Sequence, residues 1–364
     1  MNKLFSTLLL LGLISSPVMA KNILDKLTVA PGFEISLFAD DVENARQIAV
    51  SNRGIVYAGS RKAGNVYALI DHNSDGVADK KIVIAEGLNM PSGLAIKGGD
   101  LYVGEVHRII RFKNIDKHLK KPEYEVFYSD LPSERHHGWK FLRFAPNDEL
   151  IIPVGVPCNI CEENARFGRI FSLNTDTKEI TTLAKGVRNT VGFDFHPSTQ
   201  MLWFSDNGRD MMGDDIPPDE LNRVTKEEEH FGFPYVHGGV IVDPEFGEGK
   251  NIADYTQPAL ALGAHVAPLG IHFYTGKQFP DSYKQQLFVA EHGSWNRSKK
   301  VGYKVAVATI ENAKVTKYTP LITGFMQDET TFGRPVAFAQ LNDGSLLVSD
   351  DYANVIYRVS YKKN

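Results

Sequence analysis

The sequence predicts an all-β protein, specifically a six-bladed β-propeller of four-stranded antiparallel blades. Two observations lead to this prediction. One unit, an alternating apolar strand followed by a turn with Gly, Asn or Asp and a second strand, recurs six times along the chain. The composition, with 31 glycines and 10% aromatic residues, favours turns and strands. Spread over residues 21–364, six units leave about 57 residues each, which is enough for four strands and their loops.

The copies follow one another without a break in composition, which argues against two unrelated β-domains. A third strand usually follows the first two, as at 66–70 or 355–359, and then a fourth, as at 81–87. We expect residues 33–39, which precede the first copy, to complete the last blade and close the ring. The first two strands of the copies are residues 47–50 with 55–59, 92–96 with 101–104, 140–144 with 150–155, 191–195 with 202–206, 269–273 with 287–291, and 335–338 with 346–350.

Residues 1–20 have the pattern of a secretory signal peptide. Lys3 precedes the apolar run 8–14, Pro17 follows it, and Ala20 ends a stretch of small residues that suits a cleavage site. The run is too short for a permanent membrane anchor. We therefore expect a single propeller domain over residues 21–364, exported to the periplasm, with full secretion as the alternative.

Composition narrows the class of partner. The chain has 40 Lys and Arg against 44 Asp and Glu, a net charge of −4, so it shows no electrostatic footprint for nucleic acid. The ordinary mix of 43% hydrophobic and 23% charged residues excludes disorder, collagen and coiled coil, and two cysteines exclude a disulfide scaffold. Small-molecule ligands are therefore expected.

The chemically reactive residues fall into two classes of loop. In an antiparallel blade, the loop from strand four to the next strand one and the loop from strand two to strand three emerge on the same face. This face is called the loop face below. It should present imidazoles, guanidiniums and amides suited to an anionic, planar or polyhydroxylated ligand. The first class holds Arg46, His136, His137, Arg188, Asn189, His265 and Arg334, and the second holds Arg61, His107 and residues 158–161, 206–210, 292–297 and 350–352.

Three segments carry the strongest chemical signals. His137 opens the third blade as a candidate base, against the alternative of a structural or exposed histidine. Arg188 and Asn189 present a cation and an amide together, against a solvated arginine and a turn asparagine. The acids of residues 205–222 would repel one another unless a cation or water lies among them, so we weigh a calcium site against an exposed acidic loop.

Several motifs, in this order, resemble the glucose/sorbosone dehydrogenase family of quinoprotein aldose dehydrogenases. The resemblance covers nearly all of the chain after residue 20 and implies a six-bladed propeller that oxidises an aldose or related sugar with pyrroloquinoline quinone (PQQ) and calcium. The motifs are His137-Gly138-Trp139-Lys140, Gly186-Val187-Arg188-Asn189, residues 206–210 with 214–223, His292-Gly293-Ser294-Trp295-Asn296-Arg297, and Gly333-Arg334-Pro335.

The resemblance also implies roles for individual residues. His137 matches the catalytic base, Arg188 and Asn189 match the pair that holds the quinone oxygens, and Arg334 matches an arginine on a cofactor carboxylate. The backbone carbonyls of Gly208 and Arg209 match calcium ligands.

Further cofactor contacts are expected on physical grounds. The carboxylates of PQQ need fixed cations, which Arg334 and the cluster of Arg297, Lys299 and Lys300 could supply. Trp295 is either a flat wall for a quinone or sugar ring or a core residue.

The sequence departs from the family pattern at three places. His136 stands where the well-studied glucose dehydrogenases have an acid, and a glutamine expected at the entry to the second blade is replaced around Pro91 and Ser92. Phe332 replaces a second arginine near Arg334. These departures bear on PQQ binding and on the choice of sugar.

A calcium-loop pattern lies between two strands of the first blade. Asp71, Asn73, Asp75 and Asp79 copy the first half of an EF-hand loop, but Ile82 stands where the bidentate glutamate belongs. A calcium-stapled hairpin and a plain Asp/Gly turn are both open.

Cys158 and Cys161 are the only cysteines of the chain. Haem attachment requires a histidine directly after the second cysteine, but Glu162 stands at that position. We expect a small structural disulfide in an exported protein, with redox activity as the alternative.

The function expected from the sequence is therefore PQQ-dependent oxidation of an aldose, with a sorbosone-like aldehyde also considered. It needs a small-molecule sugar and an unidentified electron acceptor. The alternatives are a calcium-dependent sugar lactonase and a non-catalytic sugar-binding propeller, since the fold alone supports all three.

Overall fold

The structure, a computed structural model, describes residues 23–162 and 164–362. The expected signal peptide, residues 1–20, lies outside the described residues. Within the described part, no helix is long and apolar enough to cross a membrane. Two strands, β1 (Thr28–Val29) and β2 (Phe33–Ala39), precede the first blade.

The first two blades are four-stranded antiparallel sheets whose strands follow one another in sequence. Their outer strands are the more exposed ones, as their charged residues require. Blade one contains β3 (Ala45–Val50), β4 (Val56–Ser60), β5 (Val66–Ile70) and β6 (Lys80–Ala85), and blade two contains β7 (Gly93–Lys97), β8 (Asp100–Gly104), β9 (Ile109–Phe112) and β10 (Glu125–Tyr128), with a 3₁₀ turn at Ile115–Lys117.

A long excursion separates the third and fourth strands of blade four and pairs with the edge of blade three. Blade three contains β11 (Arg143–Phe144), β12 (Leu150–Val154), β13 (Arg169–Leu173) and β14 (Ile180–Lys185), and blade four begins with β15 (Gly192–Phe195), β16 (Leu202–Asp206) and β17 (Pro218–Arg223). The excursion adds β18 (Glu229–His230) in parallel to β14, a hairpin of β19 (Val236–His237) and β20 (Ile241–Val242), and a 3₁₀ turn at Ile252–Asp254. Strand β21 (Leu260–Ala264) then completes blade four.

Blade five contains β22 (Pro268–Phe273), β23 (Leu287–Glu291), β24 (Lys304–Glu311) and β25 (Lys314–Thr323), with a 3₁₀ turn at Asp281–Tyr283 and with β1 on its outer edge. A hairpin of β26 (Met326–Gln327) and β27 (Thr330–Thr331) follows it. Blade six contains β28 (Pro335–Gln340), β29 (Leu346–Asp350) and β30 (Val355–Tyr361), and β2 is its fourth strand. The six-bladed all-β fold and the closure of the ring by residues 33–39 are thus confirmed.

The first strand of blade three is shorter than the sequence predicts, because side chains replace part of its backbone ladder. Gln47 accepts a hydrogen bond from the Leu142 amide at 2.8 Å and donates to the Leu142 carbonyl at 2.6 Å. The Lys140 amide donates to Ser92 Oγ at 3.0 Å. The backbone groups of these residues are therefore satisfied without strand pairing.

The blades pack closely around the axis, where the innermost strands carry glycine. A Cβ on Gly192 would collide with the carbonyl of Leu269 in the next blade, and one on Gly270 would lie 2.6 Å from the Cα of Ala337. Away from the axis, apolar side chains of neighbouring blades interlock, as Trp203 and Leu221 do with Ile271. The ring therefore depends on small residues inside and large apolar ones between the blades.

Truncation of Phe33 should weaken the closure of the ring. Phe33 is 5% exposed, and its aromatic ring contacts those of Phe279, Tyr283 and Tyr361 edge to face, with centroid distances of 4.9–5.0 Å. Phe33→Ala should lower the free energy of unfolding by about 3–5 kcal/mol, measured by urea denaturation. Val83→Ala, at an outer-strand residue that is 44% exposed, is the control. Equal losses in the two variants would contradict this role of Phe33.

Candidate functional site

A cavity of ≈ 640 Å³ lies on the loop face, lined by residues from all six blades or the loops that enter them. We call it the central cavity. Its lining includes six basic side chains and two acids, which leaves an excess of positive charge. A larger groove of ≈ 840 Å³ lies near the outer strands of blades one and two and contains none of the residues singled out above as catalytic or cofactor-binding. The central cavity is lined by Arg46, Arg61, His136, His137, Arg188, Asn189, Gly208, His265, His292, Trp295 and Arg334, among others.

His137 is held in one orientation by its surroundings. Its backbone is in the left-handed region, with φ 50°, and its side chain is buried. Nδ1 lies 2.9 Å from the Val156 carbonyl, which can only accept, so Nδ1 carries the proton and Nε2 has the free lone pair. Burial, and then the charge of Arg188, hold the pKa of His137 well below its usual value. His137 is therefore a neutral imidazole at neutral pH, ready to accept a proton.

Arg188 is almost fully enclosed by acceptors. Nε donates to the Asn159 carbonyl at 2.8 Å, and Nη2 donates to Asn159 Oδ1 at 2.8 Å and to Asp210 Oδ2 at 3.0 Å. Nη1 donates to the Asn207 carbonyl at 3.2 Å. A buried guanidinium with this many partners cannot swing away, so its charge is fixed in the cavity wall.

Asp206 fixes the backbone that carries Arg188 and Asn189. Its two carboxylate oxygens accept from the Arg188 and Asn189 amides, each at 2.7 Å. Burial raises the pKa of Asp206 to about 6. The arginine–asparagine pair is thus presented by a backbone turn that a buried acid holds in place.

The backbone of the predicted calcium ligands is restrained in the same way. The Gly208 amide donates to Asp219 Oδ1 at 2.7 Å, and the Ala267 amide donates to the other oxygen of Asp219 at 2.8 Å. The Arg209 side chain points away into an ion pair with Asp243 at 2.5 Å, so Arg209 has only its backbone to offer the cavity. Calcium binding at these two residues stays a prediction.

Arg334 lines the cavity, and no carboxylate among the residues that the structure describes forms an ion pair with it. Its guanidinium donates to two backbone carbonyls, those of His292, at 3.0 Å, and Gly293. Asp350 accepts instead from the Arg334 amide at 2.9 Å. The cationic group is positioned without being neutralised, as a site for an anion requires.

Arg61 is a cavity residue to which sequence reasoning assigned no role. Its guanidinium lies 4.0 Å from the centre of the Trp139 ring, and its Nε is buried without a hydrogen-bond partner among the described residues. Burial, and then the charge of Arg46, lower its pKa to about 10. Its place in a loop between strands two and three put it on the loop face in the sequence analysis, but nothing in its local pattern indicated a role.

A second histidine of the cavity is paired with an acid. His292 Nε2 lies 2.7 Å from Asp351 Oδ1, and Asp351 also pairs with Arg46 at 2.9 Å. Burial lowers the pKa of His292 to about 4. Asp351 pairs with both His292 and Arg46, and these two contacts hold the pKa of Asp351 well below its usual value. Asp351 thus neutralises Arg46, which leaves Arg61, Arg135 and Arg334 as cavity arginines with no carboxylate partner in the described residues.

Two predicted cofactor residues lie outside the cavity lining. Arg297 donates to the Asp214 carbonyl and pairs with Asp215 at 3.0 Å. Lys300 donates to the Glu329 carbonyl at 2.6 Å. Their cationic groups are therefore engaged outside the central cavity.

Trp295 lies at the cavity mouth and is 68% exposed, so the core alternative for this residue is wrong.

The residues at which the sequence departs from the family pattern have structural explanations. Phe332 packs against an apolar cluster, with Lys26 above its ring, and the Pro91 carbonyl accepts from the Ser60 amide at 3.1 Å. His136 does line the cavity, with its ring centre 4.1 Å from that of His137.

The loop with the EF-hand-like pattern joins β5 to β6, at the end of the blade opposite the loop face. Asp71 accepts from the Gly76 amide at 2.9 Å, Asp75 from the Val77 amide at 2.8 Å and Asp79 from the His72 amide at 2.7 Å, while Asn73 accepts from the Asp75 amide at 3.0 Å. In the described part of the chain no three His, Cys, Asp or Glu side chains are grouped to hold a metal. The geometry is that of an Asp/Gly turn, and calcium here stays a prediction.

The two cysteines form a disulfide, as the sequence predicts. Residues 158–161, which we call the cysteine loop, lie behind the cavity wall, where Asn159 contacts Arg188. The sequence analysis placed residues 158–161 on the loop face but gave Asn159 no role, because nothing in its local pattern indicates its contact with Arg188.

Comparison with known proteins identifies the family of this chain. The model of a family described as a domain of unknown function, DUF7133, matches residues 19–361. The chain belongs to the DUF7133 family. An uncharacterized protein of Borreliella burgdorferi is 37% identical over 382 residues, covering 100% of this chain and 98% of that protein. A PQQ-dependent pyranose dehydrogenase of Coprinopsis cinerea is 30% identical over 125 residues, only 29% of this chain and 16% of that enzyme.

Solved structures share the fold of this DUF7133 member. The calcium structure of a Trichoderma reesei carbohydrate-active enzyme of family AA12 has a TM-score of 0.79 at 19% identity, covering 92% of this chain and 97% of that one. The holo PQQ domain of the C. cinerea pyranose dehydrogenase has a TM-score of 0.78 at 17% identity, covering 92% of this chain and 97% of that one. The apo form of the soluble aldose sugar dehydrogenase of Escherichia coli has a TM-score of 0.70 at 16% identity, covering 91% of this chain and 100% of that one. The family resemblance stated from the motifs is thus confirmed at the level of the fold.

Glu220 should make the stability of the protein fall at high pH. It is buried beside Asp206 and Asp219 and accepts from the Gly238 amide at 2.7 Å. Burial, and then the charge of Asp206, raise its pKa from 4.5 to about 8. Because the folded-state pKa is the higher one, its contribution to stability is full below about 4.5 and is lost as pH rises through about 8.

The free energy of unfolding should therefore fall between pH 5 and pH 9, and it should fall by about 1–3 kcal/mol less in Glu220→Gln. Urea denaturation across this range checks the expectation, with the exposed Glu86→Gln as the control. Parallel curves for the wild type and Glu220→Gln would contradict it.

Proposed function

We propose that this protein is a PQQ-dependent dehydrogenase that oxidises an aldose or a related sugar, with a sorbosone-like aldehyde included in the class. The observation that carries the proposal is the central cavity, which combines a neutral, oriented His137 with Arg61 and Arg334, two cations that pair with no carboxylate in the described part of the chain. The fold that it shares with the PQQ domain of a pyranose dehydrogenase and with a soluble aldose sugar dehydrogenase supports it.

The cavity residues fit the proposed cofactor. PQQ carries three carboxylates, and Arg61 and Arg334 offer fixed cations that have no carboxylate partner among the described residues. Arg188 and Asn189 would hold the quinone oxygens, and the carbonyls of Gly208 and Arg209 would bind Ca²⁺ beside it. PQQ would supply a carbon that accepts hydride, and Arg188 with calcium would stabilise negative charge on the quinone oxygen.

The protein supplies the base and the wall for the sugar. His137 would accept at Nε2 the proton of the hydroxyl that is oxidised, because Nδ1 is occupied by the Val156 carbonyl. Trp295, exposed at the mouth, would offer a flat surface to the sugar ring. An electron acceptor, which the residues of the site do not identify, must then reoxidise the cofactor.

The compartment is part of the proposal. The pattern of residues 1–20 supports export to the periplasm, where a soluble sugar and an electron acceptor can both reach the loop face.

The lactonase alternative needs side-chain ligands around one ion, and no such group of His, Cys, Asp or Glu is present among the residues that the structure describes. A non-catalytic sugar-binding propeller would not need a base held in one tautomer.

The direct test is dye reduction by the purified protein with calcium, with and without added PQQ, across a panel of aldoses. Activity that requires both PQQ and an aldose supports the proposal. Lactone hydrolysis with calcium alone, or sugar binding with no turnover, would replace it with one of the alternatives.

Removal of the base should lower turnover without removing the cofactor. His137→Ala should reduce kcat by a factor of about 100–10,000, as for the loss of a general base, while PQQ still binds. The control is His196→Ala, at a half-buried histidine whose ring accepts from turn amides at the end of blade four opposite the loop face. Unchanged turnover in His137→Ala would exclude His137 as the base.

The pH profile should show the depressed pKa of the base. Only neutral His137 can accept the proton, so kcat/KM should be lost as pH falls through the pKa of His137, which burial and Arg188 place well below 6.5. Steady-state kinetics between pH 4 and 9 should thus show an acid limb of kcat/KM whose midpoint lies below pH 6.5. The loss of this proton acceptor should not lower kcat/KM at pH 6.5 or above. A midpoint at or above pH 6.5 would contradict this environment of His137.

A further inference from the structure

Asn159 connects the cysteine loop to the wall of the central cavity through four hydrogen bonds. Its carbonyl accepts from Arg188 Nε and its Oδ1 accepts from Arg188 Nη2, both at 2.8 Å. The same Oδ1 accepts from the Asp210 amide at 2.8 Å, and Nδ2 donates to the Asp210 carbonyl at 3.0 Å. One side chain therefore contacts both Arg188 and the end of the 206–210 loop.

These bonds matter because of where they lie. Arg188 is 3% exposed, so water cannot readily replace an acceptor that moves away. Asp210 follows directly after Gly208 and Arg209, whose carbonyls are the proposed calcium ligands. A shift of Asn159 would therefore displace a cation of the cavity and loosen the proposed metal-binding loop together.

The disulfide restrains the backbone that carries Asn159. Cys158 and Cys161 flank Asn159 and Ile160 in a ring closed over a sequence separation of 3. On the N-terminal side the chain is anchored by the bond from the Val156 amide to the Arg188 carbonyl, at 3.0 Å. Both cysteines are only half-buried, so a small reductant can reach the bond.

We propose that Asn159 is a positioning residue for Arg188 and the 206–210 loop, and that the Cys158–Cys161 disulfide makes this positioning sensitive to a dithiol reductant. The consequence for PQQ binding rests on the function proposed above. One thiolate of the dithiol attacks a cysteine sulfur and releases the other cysteine as a thiolate. The second thiol of the reductant then resolves the mixed disulfide, which leaves two protein thiols and one oxidised reductant.

The first test needs no cofactor. The protein is reduced with dithiothreitol, alkylated with iodoacetamide and freed of reagents, and its amide hydrogen exchange is compared with that of the oxidised protein. The amide of Asp210 should exchange at least about tenfold faster after reduction, whereas the amides of β13, a strand of the blade that carries the disulfide, should not change. Exchange at Asp210 that is the same in both forms would overturn the proposal.

The second test measures the dissociation constant for PQQ in the presence of calcium by fluorescence titration. Asn159→Ala should bind PQQ about 10- to 100-fold more weakly. Asn159→Asp keeps the acceptor for Arg188 and for the Asp210 amide but loses the Nδ2 donor to the Asp210 carbonyl, so it should recover only part of the affinity. The double variant Cys158→Ser, Cys161→Ser should reproduce the loss seen in the reduced protein.

The matched control is Asn174→Ala, a half-buried asparagine of the same blade whose side chain accepts turn amides at the opposite end. It should bind PQQ like the wild type. Wild-type affinity in Asn159→Ala, or in the reduced protein, would overturn the proposal. A wild type that binds no PQQ would instead refute the proposed function, and hydrogen exchange would still decide whether the disulfide positions Asp210.

Discussion

The pairing of β2 with β30 is the contact on which the rest of the structure depends, because it joins the two ends of the described chain and closes the ring. The loops that form the central cavity come from blades far apart in sequence, and they meet only when all six blades stand around one axis. Gly192 and Gly270 allow the innermost strands to approach, and the apolar clusters between blades keep them there. The geometry of the site is therefore a consequence of closure.

Within that frame, buried carboxylates do the positioning and arginines carry the charge. Asp206 and Asp219 accept backbone amides of the loops that carry Arg188, Asn189 and Gly208, so these acids serve the backbone instead of neutralising the cavity. Arg61 and Arg334 lie among carbonyls and an aromatic ring. This division of roles leaves a cavity that is cationic, rigid and suited to a polycarboxylate.

Much of this could be predicted from the sequence, because strand alternation and loop class are local properties. They gave the six blades, the closing strand and the face on which His137 and Arg188 meet. Contacts between distant segments could not be predicted. Gln47 takes over backbone groups of Leu142 in another blade and shortens β11, Arg297 pairs with Asp215 in a neighbouring loop, and Asn159 shows its role only through contacts made in three dimensions. The roles taken from the family resemblance stay proposals.

The central claim is that the cavity binds PQQ together with calcium, and isothermal titration of PQQ into the purified protein tests it most directly. One titration is made with calcium and one after its removal with a chelator. The account expects one PQQ per chain with calcium present and binding at least tenfold weaker without it. Absence of binding heat under both conditions, confirmed by equilibrium dialysis, would contradict the account.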